Sequence, residues 1–372
     1  MSHQNPTAAV PAAAPAVVPA ATPALAPAAD GTQIFTLQGG RKISYKLDPP
    51  TFLSDITRSA ILLASPMGFP LGAWDRFTYL LCQAGFRVVR YDPPGVGNSE
   101  APPDPMQTTF KSLADDAARL LFHLGQLRLV MWIGVELGAA TGLNFASRYP
   151  ILVQNLICSS TPLRELDPCY TSFYQHWANL SKTTGSVSGV VEMIITTAVG
   201  THRIVNPQPD VVAQIQRLRK LIHANVKPAG LECGYAAYAN LKDMGHGSSH
   251  EQLVPKCLDR AVKYIERVTL VAGEHEVDVV RNDMAAAAPI DDQRRWWCAQ
   301  GHKGPNPSDL VKPDYSKPRL ANPQGLVLIP EGGHVPFLDG QQGFLRLVLD
   351  ILKPVPKTWK QRLLCPECGY RY

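Results

Sequence analysis

The sequence is short of charge and has no basic block, no long apolar run and no cysteine cluster; each shortage removes a class of protein. Only 18% of its 372 residues are charged, and the net charge is +5. Lysines and arginines are scattered among acids without a run of five, so nucleic-acid binding has no electrostatic footprint. No apolar stretch reaches the roughly 18 residues that a membrane span needs. The eight cysteines (Cys82, Cys158, Cys169, Cys233, Cys257, Cys298, Cys365 and Cys368) are too widely spaced for a disulfide framework. Several sit in apolar segments, where a free thiol acts as a small hydrophobe, and a reducing compartment is the simpler expectation. Residues 1–30 are mostly Ala, Pro, Val and Thr, which cannot hold a helix or build a core. That stretch lacks the basic start and Leu-rich centre of a signal peptide, and it has no Arg for a mitochondrial presequence. The expectation is a soluble cytoplasmic protein with a disordered Ala/Pro-rich tail.

What is present is a packable chain, 45% hydrophobic. From Thr32 onward, 34–37 and 42–47 read as two strands joined by Gly39-Gly40. Segments 60–64 and 129–133 are apolar runs of the kind buried on both faces of a parallel sheet, and 86–91, 156–158, 268–272 and 326–329 read as further strands. Helical spacing separates them at 77–84, from Thr108 to Gly125, at 138–148 and at 342–352. Alternating strands and helices predict an α/β architecture, a mostly parallel sheet flanked by helices. The alternation stops after Pro162, and 164–257 holds helix-like pieces without a buried strand. That stretch is expected to be a mainly helical lid inserted between core segments 31–163 and 258–353. A Pro-rich insertion, 276–325, interrupts the second segment, and 354–372 forms a C-terminal tail. No internal repeat is visible.

Four short patterns fall at the carboxyl ends of expected strands. Gly134-Val135-Glu136-Leu137-Gly138 lies between strand and helix and has the form G-x-S-x-G with Glu for Ser. Pro66-Met67-Gly68-Phe69-Pro70 is similar to a His-Gly-x-Pro loop with Met for His. Asp92-Pro93-Pro94-Gly95-Val96-Gly97-Asn98-Ser99 matches D-x-x-G-x-G-x-S, and Glu331-Gly332-Gly333-His334 follows the last strand. In this order the patterns resemble the α/β-hydrolase superfamily, in the branch of enol-lactonase-like and epoxide-hydrolase-like proteins, over about 31–163 and 258–353. The resemblance implies that Glu136 stands at the nucleophile position and His334 is the catalytic histidine. Glu276, in Gly273-Glu274-His275-Glu276, becomes the acid, with Asp278 in reserve. The amides of Phe69 and Leu137 would form the oxyanion hole. No catalytic role falls to the 92–99 turn.

A carboxylate at Glu136 leaves three readings open. It attacks saturated carbon, as Asp does in epoxide hydrolases and haloalkane dehalogenases, forming an ester that His-activated water cleaves. The extra methylene of Glu pushes the attacking oxygen ~1.5 Å further along the pocket, which strains that reading. Alternatively it is a general base in lyase, isomerase or cyclase chemistry. In the third, the protein is a catalytically inactive homologue that binds a small molecule or acts as a scaffold. Tyr170, Tyr174, Tyr235 and Tyr238 are available as proton donors from the lid, although lids also use tyrosine for packing. The retained histidine and acid favour an enzyme, acting without cofactor on a small apolar lactone, ester or epoxide or in related proton-transfer chemistry. Cys365 and Cys368 form half of a C-x-x-C knuckle that Cys298 and His302 could complete, but the spacing fits no standard module, so no metal is expected. Trp296-Trp297 reads as an apolar anchor for the insertion. A small-molecule substrate is the expected partner, and the sequence leaves a homodimer open.

Overall fold

A computed structural model describes residues 30–51, 60–125, 128–161, 168–199, 201–205, 207, 209–241, 265–276, 280–282, 284, 319–320 and 326–352. Asp278, Trp296, Trp297, Cys298, His302, Cys365, Cys368 and nearly all of the N-terminal tail lie outside the described residues. The strands are β1 (Gln33–Thr36), β2 (Lys42–Asp48), β3 (Ala60–Ala64), β4 (Arg87–Tyr91), β5 (Leu129–Val135), β6 (Val153–Ser159), β7 (Arg267–Gly273), β8 (Arg319–Leu320) and β9 (Val327–Ile329). They form one sheet in the order β1-β2-β4-β3-β5-β6-β7-β9-β8. The sheet is parallel from β4 through β9, while β1, β2 and β8 add antiparallel edges. The short β8 falls in the segment expected to be a Pro-rich insertion, where no strand was legible.

Strands β3 and β5 at the middle of the sheet are apolar along their whole length because both faces are covered. Along β3, Ile61 and Leu63 join one core, with Phe77, Met131, Ile133 and Phe344. Ala60, Leu62 and Ala64 point the other way, to Val89, Ala117, Trp132 and Leu143, as the two-residue period of a strand requires. The first face is covered by α1 (Asp75–Gln83) and by the last helix, and the second by α2 (Phe110–His123) and α3 (Leu137–Arg148). A capping box between Thr109 and Ser112 starts α2, and Gly125, at φ 66°, follows its end.

Between β6 and β7 the chain forms α4 (Pro168–Thr184), α5 (Val191–Ala198), α6 (Thr201–Val205), α7 (Pro209–Asn225) and α8 (Pro228–Ala239). Two short contacts fix the α7–α8 corner to the 92–99 turn: Val96 bridges Val226, and the Gly97 N–H donates to the Asn225 carbonyl at 2.6 Å. The turn reads as structural, and Asp92 shows why. Its carboxylate accepts from the Ser44 hydroxyl at 2.6 Å and the Leu71 N–H at 2.7 Å, tying β2, the 92–99 turn and the loop after β3 together. After β9 come α9 (Pro336–Asp339) and α10 (Gln341–Leu352). Among the described residues no helix is long and apolar enough to cross a membrane, and no group of three or more His, Cys, Asp or Glu is placed to hold a metal ion.

Candidate active site

The parallel register brings the ends of β3, β5, β6, β7 and β9 to one edge of the sheet, since Ala64 pairs with Gly134, Gly134 with Cys158 and Gly273 with Ile329. The carboxyl edge of an open parallel sheet is where such folds build binding sites. Glu136 sits there between β5 and α3 at φ 49° and ψ −110°, a conformation that costs a residue with a side chain about 1–3 kcal/mol. Its backbone is clamped: its N–H donates to Ser159 O at 2.9 Å, and its carbonyl accepts from Ala139 and Ala140 at 3.0 Å. The flanking glycines are required by close approach. A Cβ on Gly134 would lie 2.4 Å from the Gly138 carbonyl carbon, and one on Gly138 would lie 2.2 Å from Ala64 O.

The Glu136 side chain is buried. Its Oε2 accepts the Met67 N–H at 2.6 Å, a short charge-assisted bond. Among the described residues its buried Oε1 has no hydrogen-bond partner, and the same holds for the hydroxyls of Thr161 and Tyr238. These atoms belong together. The Tyr238 phenol is held well above its ordinary pKa by burial first and by the Glu136 carboxylate second, with Thr161 acting in the opposite direction. Tyr238 therefore stays protonated. Its ring stacks on Tyr174, with centroids 5.2 Å apart, and meets Phe110 edge-on.

His334 and Glu276 meet across the loops after β9 and β7. The His334 Nδ1 lies 3.0 and 3.1 Å from the two Glu276 oxygens. Burial opposes a charge on His334, but Glu276, then Glu136 and Asp339, outweigh it, and the net pKa is raised. The loops interlock: His275 N–H donates to Gly332 O, Glu274 N–H to Ile329 O and Gly333 N–H to the Asp339 carboxylate. Gly273 has no room for a Cβ, which would lie 2.1 Å from Gly333 O.

Glu136 and His334 line one small cavity with Pro66, Met67, Phe69 and Trp177, and α5 adds Ile194, Thr197 and Ala198 to its wall. Its volume is about 10 Å³, room for about one water molecule. The oxyanion pair read from the sequence is split. No hydrogen bond engages the Leu137 N–H among the described residues, as befits a first helical amide. The Phe69 N–H is turned into its own loop, donating to Pro66 O at 3.2 Å around Gly68 at φ 77°. The Met67 amide meets the carboxylate instead. Of the four candidate tyrosines, Tyr238 faces Glu136, Tyr174 lines the cavity, Tyr235 packs at the edge of the core, and the Tyr170 side chain is outside the described residues. Neither the Met67 amide nor Thr161 was legible as a site residue.

Comparison with known proteins bears on this arrangement. Residues 67–180 match the α/β-hydrolase-fold family model. A 104-residue stretch is 35% identical to bifunctional epoxide hydrolase 2 of Sus scrofa, covering 27% of this chain and 18% of that protein. The match thus spans under a fifth of the curated relative's length. The crystal structure of a hydrolase from Pseudomonas aeruginosa superposes with a TM-score of 0.63 at 20% identity, over 88% of this chain and 100% of that one. An enol-lactonase from Burkholderia xenovorans gives 0.61 at 17% identity, over 86% and 100%.

Proposed function

The chain is an α/β-hydrolase-fold protein, and from that premise we propose a hydrolytic enzyme that uses Glu136 as a covalent nucleophile on a small apolar substrate. Saturated carbon bearing a strained ether oxygen, as in an epoxide, is the reacting centre that suits these groups. The Met67 amide bound to Glu136 Oε2 carries this reading. If Oε1 attacks carbon, Oε2 becomes the carbonyl oxygen of the enzyme ester, and the oxyanion of the next step develops on it. A donor already 2.6 Å from that atom supports catalysis through electrostatic preorganisation. An oxyanion donor is then needed at the enzyme's own carboxyl group rather than at a substrate carbonyl.

The remaining groups fit the same sequence of events. Glu136 Oε1 bonds to carbon as the carbon–oxygen bond breaks, and the leaving oxygen takes the Tyr238 proton. His334, oriented by Glu276 on Nδ1, removes a proton from water through Nε2; the hydroxide adds to the ester carbonyl. Collapse expels the second diol oxygen, which takes the proton held by His334, and the Glu136 carboxylic acid returns its proton to Tyr238. The helices α4–α8 act as the lid over this centre. A second reading, a binding protein without turnover, is favoured by one observation: the cavity of about 10 Å³ admits no organic substrate until α4, α5 or the Met67 loop moves.

Tyr238→Phe separates the two. The proposal expects turnover of a small epoxide by the unaltered protein and a loss of about 10²–10⁴ in kcat for the variant, the usual span for a lost proton donor. No product from a panel of styrene-type and aliphatic epoxides with the unaltered protein would leave the binding reading standing.

A further inference from the structure

A second cavity, of about 230 Å³, lies outside the site, between the turn after the Met67 loop, α7 and the α9–α10 junction. Its wall is apolar, from Leu218, Leu221, Phe337 and Leu338, and Gln341 also lines it. Gln341 is 8% exposed, and its buried Oε1 has no hydrogen-bond partner among the described residues, while Nε2 spends its reach on Phe337 O. A buried acceptor without a donor costs free energy unless a ligand or water satisfies it.

The mouth carries Arg76 and Arg217. Arg217 pairs with Asp75 at 2.5 Å, but Asp75 is shared with Arg90, which also binds Asp48. Arg217 and Arg90 thus take up the two carboxylates Asp75 and Asp48, and Arg76, which has no ion-pair partner among the described residues, leaves a positive charge at the rim.

We propose that this cavity binds a small organic anion with an apolar skeleton and a hydroxyl group. The carboxylate pairs with Arg76, the skeleton lies on Phe337 and the leucines, and the hydroxyl donates to Gln341 Oε1, which is shielded from solvent and turns toward the cavity to accept it. The volume suits a skeleton of roughly eight carbons, given that a dry cavity of about 150 Å³ accepts benzene. The proposal does not depend on the reaction assigned to Glu136.

Calorimetric titration of the full chain with 3-hydroxyoctanoate, octanoate and 1,3-octanediol tests it. We expect 3-hydroxyoctanoate to bind best. Arg76→Gln, which breaks no ion pair among the described residues, should weaken it roughly tenfold or more, as should replacing the acid by the diol. Octanoate should bind more weakly than the hydroxy acid in the unaltered protein, and Gln341→Leu should erase that difference. Binding unchanged in Arg76→Gln, binding lost instead in Glu136→Gln, a hydroxyl preference that survives Gln341→Leu, or no heat with any of the three probes would each overturn the proposal.

Discussion

Asp92 is a carboxylate sealed in the core, and its burial makes stability depend on pH. Burial raises its pKa from 3.8 to about 6, against the pull of the Ser44 hydroxyl, the Leu71 N–H and Arg90. The native state thus holds a proton that the unfolded chain releases between these two values. A group with a raised native pKa contributes stability that is fully present below the unfolded pKa and lost as pH rises through the native one. A shift of about two units corresponds to about 3 kcal/mol, an order-of-magnitude figure. Asp92→Asn removes the titration while leaving an oxygen to accept the Leu71 N–H and an amide to face Ser44. Urea unfolding of both proteins from pH 4 to pH 7.5 isolates the effect, because the other titrating groups cancel in the difference. The stability of the Asn variant relative to the parent should climb by about 2.5 kcal/mol over that range, most of it between pH 4.5 and 6.5. A flat difference would show that Asp92 keeps an ordinary pKa in the folded protein, and that the burial argument is wrong.

Gly138→Ala tests the close approach of α3 to β3. An exposed helix would gain about 1 kcal/mol from that change, whereas here the Cβ meets Ala64 O at 2.2 Å, and a loss of about 3 kcal/mol in urea unfolding is expected. Glu276→Gln removes the main group that raises the His334 pKa, so an NMR titration of the His334 ring should show its pKa falling. With it goes the His334 contribution to stability, present below the unfolded value of about 6.5 and lost as pH rises through the raised native one. An unmoved titration would mean that Glu276 does not hold the ring.

Much of this architecture was legible because its determinants are local. Gly134, Gly138 and Gly273 mark places where backbones touch, and the two glycines around Glu136 pointed to the strand-to-helix turn. The all-apolar run 60–64 gave a strand buried on both faces. Pairing of His334 with Glu276 followed from chain order once both were assigned to strand ends. The Met67 amide was hidden for a physical reason: a backbone N–H carries no residue identity, and the direction of Phe69's N–H depends on the turn at Gly68. Tyr238 could not be singled out among four tyrosines, since which one meets Glu136 depends on how α8 packs on Phe110 and Tyr174. The strand β8, two residues long, is set by pairing with β9 rather than by its own composition.

The account turns on whether Glu136 forms a bond to substrate, and trapping that bond tests it most directly. His334→Gln cannot activate the water that cleaves the ester, so incubation with a reactive small epoxide should leave the enzyme heavier by the mass of that epoxide. Peptide mass spectrometry should place the adduct on Glu136, and Glu136→Gln in the same background should abolish it. Diol formation by the unaltered protein with no adduct in the His334 variant, or an adduct on any other residue, would contradict the assignment of Glu136 as nucleophile.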